Sequence, residues 1–217
     1  MSYRITLAEI ESSLRKAARA CGLDWGVAEE AGKAARWLAA FNLPGPETTL
    51  RHLQNLCGQD YRNFIPDCDL VPWQASGGIL CPIITGAALA DRSAIMLEGS
   101  AIKLGPTAYP LLLAATLGQA ARYHRTVFTT CWAGVRVNCF ANGLTIAGNN
   151  DSLLLPEAPN VCCCREELSE PEQLPATLAY EIDREIYDEI DRLAFQTYAP
   201  ATEHSRAGAG AGLTDND

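Results

Sequence analysis

Apolar residues recur at a helical period over the first 58 residues of the chain. The apolar positions of the first segment fall three or four residues apart, as on one face of a helix: Leu7, Ile10, Leu14, Ala17 and Cys21. Thr6 precedes this segment and Glu9 follows three residues later, which is the capping-box pattern of a helix start. Gly22, after the last apolar position, is typical of a helix end. The sequence therefore predicts a helix between Thr6 and Gly22.

Two further helices are predicted in the same region. Asp24 is the predicted cap of a second helix, which runs to about Asn42. Small residues form a stripe along this helix that lets another helix approach closely: Ala28, Gly32, Ala35 and Ala39. A turn with two prolines follows at residues 43–46, and a third apolar helix is predicted to end at Gly58.

From residue 59 onward the apolar runs are shorter, as in strands. Residues 79–84 predict a buried edge strand or a bulge, because Pro82 interrupts the run. Glu98 and Gly99 separate two short apolar runs and predict a hairpin turn. Thr107 is the predicted cap of a helix that continues to His124. Its apolar residues lie on all sides, which indicates a buried, central position.

The clearest hairpin signal lies in the second half of the chain. Asn142-Gly143 separates apolar residues 135–140 from residues 144–146 and predicts a type I′ turn with positive φ at both positions. Residues 126–132 and 161–165 predict further strands, and Asp183 is the predicted cap of a C-terminal helix.

This order of elements predicts an α+β fold. Residues 1–58 are expected to form a helical lobe that packs on a β-rich middle with one buried helix. Residues 59–217 are expected to hold that middle, the C-terminal helix and an ordered Gly-rich tail. The alternative is that the whole chain forms one domain.

Composition and charge exclude several classes of protein. Apolar residues make up 48% of the 217 residues, which excludes a disordered chain. The net charge of −9 makes nucleic acid a poor partner, because phosphate binding needs clustered Lys and Arg. The sequence has no run of 18 apolar residues and no apolar export signal at its start. We therefore expect no membrane partner and a cytoplasmic location.

Nine cysteines bear on disulfides and metal binding. Their number is odd, three of them are consecutive and no export signal is found, so we expect all nine to be reduced. Neighbouring residues of a strand point to opposite faces, so at most Cys162 and Cys164 share a face. A zinc site there needs further ligands. We therefore interpret the three cysteines as small buried hydrophobes and predict no metal site.

Histidine chemistry has two candidate locations. His124, Cys131 and Cys139 lie around the central hairpin, where a Cys–His pair could activate a thiolate. Alternatively, His124 closes its helix, where a cation suits the helix dipole. His204 lies among polar residues just before the tail and titrates near neutrality, so it is the candidate catalytic histidine.

The tail, residues 205–217, supplies the candidate binding residues. Arg206 is the predicted anchor for a carboxylate. Glycine amides can approach such a ligand closely: Gly208, Gly210 and Gly212. Glu98 is the second catalytic candidate, because burial between apolar runs would raise its pKa and make it a general base. No motif identifies a cofactor.

The whole chain resembles a bacterial family known only as a domain of unknown function. The similar features are the run at residues 197–201, Thr-Tyr-Ala-Pro-Ala, and the ending at residues 205–217. This resemblance implies no activity.

The first 58 residues are also similar to the N-terminal helical segment of the malate/lactate/sulfolactate dehydrogenase family that lacks a Rossmann fold. The similar features are Gly22-Leu23, Ala28-Glu29-Glu30-Ala31, and Leu38 followed by Gly45. Members of that family have a Ser-His-Gly stretch where this chain has Pro-Glu-Thr-Thr-Leu at residues 46–50, so no catalytic residue is carried over. The resemblance implies small organic-acid metabolism.

These observations predict a cytoplasmic protein of small-molecule metabolism, an enzyme or enzyme subunit that acts on a small amino or hydroxy acid. In this hypothesis Arg206 binds the carboxylate of the ligand, and His204 or Glu98 moves protons. The alternative is a non-catalytic accessory or oligomeric binding protein whose tail docks on a partner subunit. We expect a small carboxylate as the ligand and a homo-oligomer as the assembly.

Overall fold

The computed structural model of the protein describes residues 2–168 and 176–197. The α-helices of this part are α1 (Leu7–Ala20), α2 (Trp25–Ala40), α3 (Gly45–Leu56), α4 (Pro82–Asp91), α5 (Ser93–Leu97), α6 (Leu113–His124) and α7 (Arg184–Phe195). Its strands are β1 (Ser2–Thr6), β2 (Ile102–Leu104), β3 (Thr107–Ala108), β4 (Val127–Trp132), β5 (Val135–Phe140), β6 (Gly143–Gly148), β7 (Glu157–Ala158), β8 (Val161–Glu166) and β9 (Ala179–Asp183). Three short 3₁₀-helices are Tyr61–Phe64, Pro110–Leu112 and Asn150–Ser152.

The first helix begins and ends as its sequence predicts. The Thr6 hydroxyl accepts a hydrogen bond from the backbone N–H of Glu9 at 3.2 Å. The backbone N–H of Thr6 donates to the Glu9 carboxylate at 3.0 Å, which completes the capping box. After α1, Gly22 adopts a φ of +92°, a conformation that favours glycine. Local sequence therefore determines both ends of α1.

The small-residue stripe of α2 is confirmed as a contact surface. The residues of the stripe are buried, and a Cβ atom at Gly32 would lie 2.5 Å from the carbonyl oxygen of Glu11 on α1. Only glycine therefore permits this approach of the two helices. Asp24 precedes α2 as predicted, but its side chain does not cap the helix and instead accepts a hydrogen bond from the Tyr61 hydroxyl.

An antiparallel five-stranded sheet forms the centre of the β-rich part, in the order β2-β8-β4-β5-β6. Helix α6 packs against β4 and β5 on one face of this sheet and is buried along most of its length, which confirms the predicted central helix. The helix begins at Leu113 rather than near Thr107, because Thr107 belongs to β3 and pairs with Ala158 of β7.

Two of the predicted strands form helices instead. Pro82 is the first residue of α4, a position where the missing N–H of proline leaves no helical hydrogen bond unmade. Residues 93–97 form α5, so Glu98 ends a helix rather than turning a hairpin. In both cases a short apolar run is compatible with a strand or with a buried helix, and periodicity does not separate them.

The central hairpins differ from the prediction in the position and the backbone conformation of their turns. Strands β5 and β6 pair as expected, but their turn is Ala141-Asn142, and Gly143 already pairs with Phe140. Neither Asn142 nor Gly143 has a positive φ. The turn with two positive φ angles joins β4 to β5 instead, at Ala133 (φ 43°) and Gly134 (φ 80°), as in a type I′ turn.

The predicted α+β fold class is confirmed, and one hydrophobic cluster runs through the described residues from Ile5 to Leu193. Strands β1 and β9 pair with each other, next to the contact between α7 and α1. The expectation that all nine cysteines are reduced is wrong for two of them: Cys21 and Cys57, at the ends of α1 and α3, form a disulfide. None of the helices among the described residues combines the length and the apolar composition that a membrane span requires.

Candidate functional site

The two faces of the central sheet have different chemistry. On the face toward α6 the side chains are buried, and the Cys139 thiol donates a hydrogen bond to the backbone oxygen of Ala114 at 3.3 Å. On the opposite face Cys131, Cys162 and Cys164 are half-buried, whereas Cys163 between two of them is fully buried. The alternation predicted for the consecutive cysteines is therefore confirmed, but their interpretation as buried hydrophobes is right only for Cys163. A third thiol, Cys131 of β4, lies on the same open face as Cys162 and Cys164.

The register of four neighbouring strands forms a row of polar side chains on this open face. Lys103 of β2 lies opposite Cys162 of β8, and Cys162 lies opposite Cys131 of β4. Cys131 in turn lies opposite Arg136 of β5. Directly opposed residues of antiparallel strands share a face and touch their neighbours. The row thus places two thiols between two cationic side chains.

This row lines a cleft of about 620 Å³, a volume in the usual range for small-molecule sites. Its lining includes Lys103, Cys131, Trp132, Arg136, Asn160 and Cys162. The Trp132 side chain is buried, and its indole N–H donates to the backbone oxygen of Ser152 at 2.8 Å, which anchors the end of β4 beside the cleft. Asn160 adds an amide that can donate or accept a hydrogen bond.

Positive charge at the cleft contrasts with the acidic chain around it. Arg136 forms an ion pair with Glu166 at 2.7 Å, and this hydrogen bond raises the pKa of the guanidinium. Lys103 is exposed and has no ion-pair partner among the residues that the structure describes. Glu166 offsets part of the Arg136 charge, so the Lys103 charge and the remaining N–H donors of Arg136 are the features that favour an anionic ligand.

Burial favours the protonated thiol at two positions of the open face, Cys131 in the cleft and Cys164 beside it. Burial raises the pKa of Cys131, and the nearby Arg136 guanidinium partly opposes this shift. Burial and the neighbouring Glu166 carboxylate raise the pKa of Cys164 to about 11. Nucleophilic attack requires a thiolate, so these thiols react more readily in alkaline solution.

The turn at the rim of the cleft is conformationally unusual. Ala133 and Gly134 line the cleft, and Ala133 is a non-glycine residue with a φ of 43°. Such positions cost free energy and are frequent at functional sites. The strained turn fixes the end of the hairpin that carries Cys131 and Arg136.

Away from the cleft, the Cys81 thiol lies in the protein interior beside His52. The His52 Nε2 and Cys81 Sγ atoms are 3.2 Å apart, and both residues are at most 2% exposed. Burial lowers the pKa of His52 to about 3 and raises the pKa of Cys81 to about 11. Both side chains are therefore neutral at pH 7. Tyr109, with a φ of 39°, packs edge-on to the His52 ring and accepts a hydrogen bond from Asn55.

The structure does not bring the sequence-predicted site together. His204, Arg206, Gly208, Gly210 and Gly212 lie outside the described residues. Glu98 is described: it is exposed at the end of α5 and is not among the residues that line the cleft. The burial on which its predicted role as a general base depends is therefore absent.

The proposed partnership of His124 with a cysteine is not observed in the described residues. The His124 Nε2 atom lies 2.9 Å from the Ser93 hydroxyl instead, at the C-terminal end of α6. Cys131 and Cys139 lie on the neighbouring strands β4 and β5 but face opposite sides of the sheet. The histidine that does contact a cysteine is His52, which the sequence pattern did not distinguish from a core residue.

Sequence reasoning also missed Lys103 and Arg136. The available signal was their alternation with apolar neighbours, Lys103 between Ile102 and Leu104 and Arg136 between two valines. Alternation indicates the open face of a strand but not which strands become neighbours. Within the described part of the chain, no group of three or more His, Cys, Asp or Glu residues could hold a metal ion.

Comparison with known proteins finds one similarity. Residues 5–84 match a family described as "Protein of unknown function (DUF3726)". No curated protein and no solved structure matches the chain. The match covers the helical N-terminal part and ends in the first turn of α4, so it does not include the tail on which the resemblance rests. The similarity to the dehydrogenase family is not shown. The N-terminal part of the chain is thus similar to an uncharacterised family.

Proposed function

We propose that this protein binds a small carboxylate, an amino or hydroxy acid, in the cleft on the open face of the sheet. The row Lys103–Cys162–Cys131–Arg136 is the observation that supports it. Arg136 presents a planar guanidinium, which suits a carboxylate, and Lys103 presents a second positive charge.

The separation of the two cations suits a ligand with two polar ends. Lys103 and Arg136 are three strand spacings apart, which is about 14 Å between their Cα atoms. Both side chains are long and line the same cleft, so a small acid can place its carboxylate at Arg136. Its second polar or anionic group then lies toward Lys103, and a hydroxyl or amino group can bond to Asn160.

In this proposal the protein acts in cytoplasmic small-molecule metabolism, as an enzyme or enzyme subunit. The thiols of Cys131 and Cys162 are the reactive groups of the described chain nearest to such a ligand. Tail residues His204 and Arg206 remain predicted contributors, and so does a homo-oligomeric assembly. Deletion of residues 213–217 tests whether the tail contributes to ligand binding. If it does, the shortened protein should bind the ligand more weakly, while its melting temperature without ligand stays unchanged.

A thermal-shift titration with small carboxylates tests the binding proposal. At ten times its Kd, a ligand stabilises the folded protein by about 1.4 kcal/mol. This raises the melting temperature of a chain of this size by about 3–6 °C. We expect the Arg136→Gln and Lys103→Gln variants to bind the same carboxylate at least about tenfold more weakly, because each loses a charged contact.

Arg184→Gln is the matched control for Arg136→Gln. Arg184 also forms an exposed ion pair, with Asp188 at 2.8 Å, but it lies on α7 and does not line the cleft. The control should bind with the affinity of the natural protein. Equal loss of affinity in Arg184→Gln and Arg136→Gln would show a general charge effect and contradict the proposed site.

A further inference from the structure

Two thiols of the cleft stand directly opposite each other on neighbouring strands. Cys131 of β4 and Cys162 of β8 are partners in the antiparallel register, both are half-buried, and both line the cleft. Neither takes part in a disulfide in the structure, unlike Cys21 and Cys57. The pair is therefore available for chemistry that needs two neighbouring thiols.

The strand geometry is compatible with a bond between these thiols. Trp132 and Val135 flank the two-residue turn, so the backbone N–H and C=O of Trp132 point to β5. Backbone groups alternate in direction along a strand, so those of the preceding residue, Cys131, point to β8. Cys131 and Cys162 therefore form a hydrogen-bonded pair, whose Cα atoms lie about 5.5 Å apart. A disulfide forms over Cα distances of about 4.4–6.8 Å. The Cα atoms thus lie within the disulfide range, and the Cβ atoms, about 4.5–5.5 Å apart in directly opposed residues, must approach to about 4.5 Å or less when the bond forms.

Charge and position select the molecule that can exchange with this pair. Lys103 lies opposite Cys162, and Arg136 lies opposite Cys131, so a positive side chain stands at each end of the dithiol. A cation beside a thiol favours the thiolate and attracts an anionic partner. A symmetric disulfide with a carboxylate at each end matches this arrangement, with its sulfur atoms over the thiols.

We infer that the cleft is a dithiol site for a small, carboxylate-bearing disulfide, which Cys131 and Cys162 reduce by thiol–disulfide exchange. This inference rests on the proposed carboxylate binding and adds the chemical class of the ligand and its reaction. Cys164, two residues from Cys162 on the same face, is not part of the pair, because it lies opposite Thr129.

The exchange has two steps and transfers two electrons. One thiol of the pair loses its proton, and its thiolate attacks a sulfur of the small disulfide, which forms a mixed disulfide and releases one small thiolate. The second thiol, deprotonated in turn, attacks the protein sulfur of the mixed disulfide. This step forms the Cys131–Cys162 disulfide and releases the second small thiolate, and the two released thiolates take up the two protons. The small disulfide is reduced and the protein dithiol is oxidised.

Three small disulfides of similar size and different charge provide the test. Dithiodiglycolate carries two carboxylates, 2-hydroxyethyl disulfide is neutral, and cystamine carries two ammonium groups. Each is added to the full chain at pH 8 without oxygen. Peptide mapping by mass spectrometry then measures the rate at which a peptide linked through Cys131 and Cys162 appears.

We expect the linked peptide with dithiodiglycolate to appear at least tenfold faster than with 2-hydroxyethyl disulfide, and cystamine to be the slowest probe. In Arg136→Gln the advantage of dithiodiglycolate over the neutral disulfide should fall to threefold or less. The rate with the neutral disulfide should also fall in Arg136→Gln, because loss of the guanidinium charge disfavours the Cys131 thiolate, so the ratio of the two rates is the measure. Arg184→Gln, which does not change the cleft, is the matched control and should keep both rates of the natural protein.

Cysteine variants identify the pair. Cys131→Ser and Cys162→Ser should each stop at a mixed disulfide that carries half of the probe, because the second thiol is missing. Cys164→Ser is the matched control, with the same substitution on the same face, and should form the linked peptide at the natural rate.

Two results would overturn the inference. The first is mixed disulfides at Cys131 or Cys162 in the natural protein with no linked peptide; the second is equal rates with all three probes. Failure of the proposed function is measured separately, as an absence of any carboxylate-induced thermal shift in the Cys131→Ser/Cys162→Ser double variant, in which no exchange can occur.

Discussion

The protein holds a cysteine beside a charged or basic partner in two regions, and the regions differ in water access. In the interior, Cys81 and His52 are in contact at 3.2 Å, and burial keeps both neutral. On the open face of the sheet, Cys131 and Cys162 are half-buried between Lys103 and Arg136. The comparison teaches that proximity of a thiol and a base does not make a site. A site also needs access to solvent and charged groups that can hold a ligand, and Lys103 and Arg136 provide these at the cleft.

The interior pair is expected to contribute to stability rather than to binding. Cys81 is the residue before α4, and His52 lies in the middle of α3, so their contact joins two helices of the core. The open-face pair contributes little packing but borders a cleft. Substitutions should therefore separate the two regions: changes in the interior alter the free energy of unfolding, and changes in the cleft alter ligand binding and thiol reactivity.

The largest expected effect is the loss of the interior contact. His52→Ala removes a buried ring and leaves a cavity beside Cys81, which should lower the free energy of unfolding by about 2–4 kcal/mol. Cys131→Ser, at the half-buried position, should lower it by about 0.5 kcal/mol or less. Urea denaturation of both variants measures the difference. Equal losses would remove the distinction between the two regions.

Acidification should weaken the protein through His52. The His52 pKa is about 3 in the folded protein and ordinarily 6.5, so the unfolded chain binds the extra proton between these values. This contribution to stability is complete above pH 6.5 and is lost as the pH falls toward 3. The expected loss is about 1.4 kcal/mol per pH unit between pH 5.5 and 4.

A histidine variant isolates this contribution from the carboxylates that titrate in the same range. Between pH 5.5 and 4, the slope of unfolding free energy against pH should be smaller in His52→Gln by about 1.4 kcal/mol per pH unit. Urea denaturation at a series of pH values measures this slope in the natural protein and in the variant. An unchanged slope in His52→Gln would mean that His52 is not held neutral by burial.

These effects show how much of the molecule follows from sequence. Capping of α1 by Thr6 and Glu9 is a local interaction, so four neighbouring residues suffice to predict it. The row on the open face depends on which strands become neighbours: β8 inserts between β2 and β4, although about 60 residues separate it from β2. Alternation along β8 predicts that Cys162 and Cys164 share a face. It does not predict that Cys131, Lys103 and Arg136 of other strands lie next to them. Non-local pairing of this kind is invisible to local patterns.

Alkylation rates should separate the cysteines by access. Iodoacetamide should modify Cys131, Cys162 and Cys164 in the native protein at least about 100-fold faster than the buried cysteines, which react only after local opening. The buried thiols are Cys81, Cys139 and Cys163. Time-resolved mass spectrometry of the modified peptides gives each rate. Modification of Cys81 at the rate of Cys131 would show that the interior pair is open to solvent.

The smallest predicted effects concern two buried threonines. The hydroxyl of Thr85, one turn after Cys81 on α4, has no hydrogen-bond partner among the described residues. Thr85→Val should therefore leave stability unchanged or raise it by up to about 1 kcal/mol. Thr129 on β4 donates to the Asn138 side chain at 2.9 Å, so Thr129→Val should lower stability by about 1 kcal/mol. Thermal unfolding of both variants measures the two changes in stability. A loss of stability in both variants, or a gain in both, would contradict the prediction.

Protection of the open-face thiols by a bound carboxylate is the most direct test of the cleft as the functional site. The alkylation rates of Cys131, Cys162 and Cys68 are measured in one sample, with and without the carboxylate that gives the largest thermal shift. Cys68 is also half-buried but does not line the cleft, so it serves as the internal reference. We predict that the ligand slows alkylation of Cys131 and Cys162 at least fivefold and leaves Cys68 unchanged. Unchanged rates at Cys131 and Cys162 at a saturating concentration of that carboxylate would contradict the central claim.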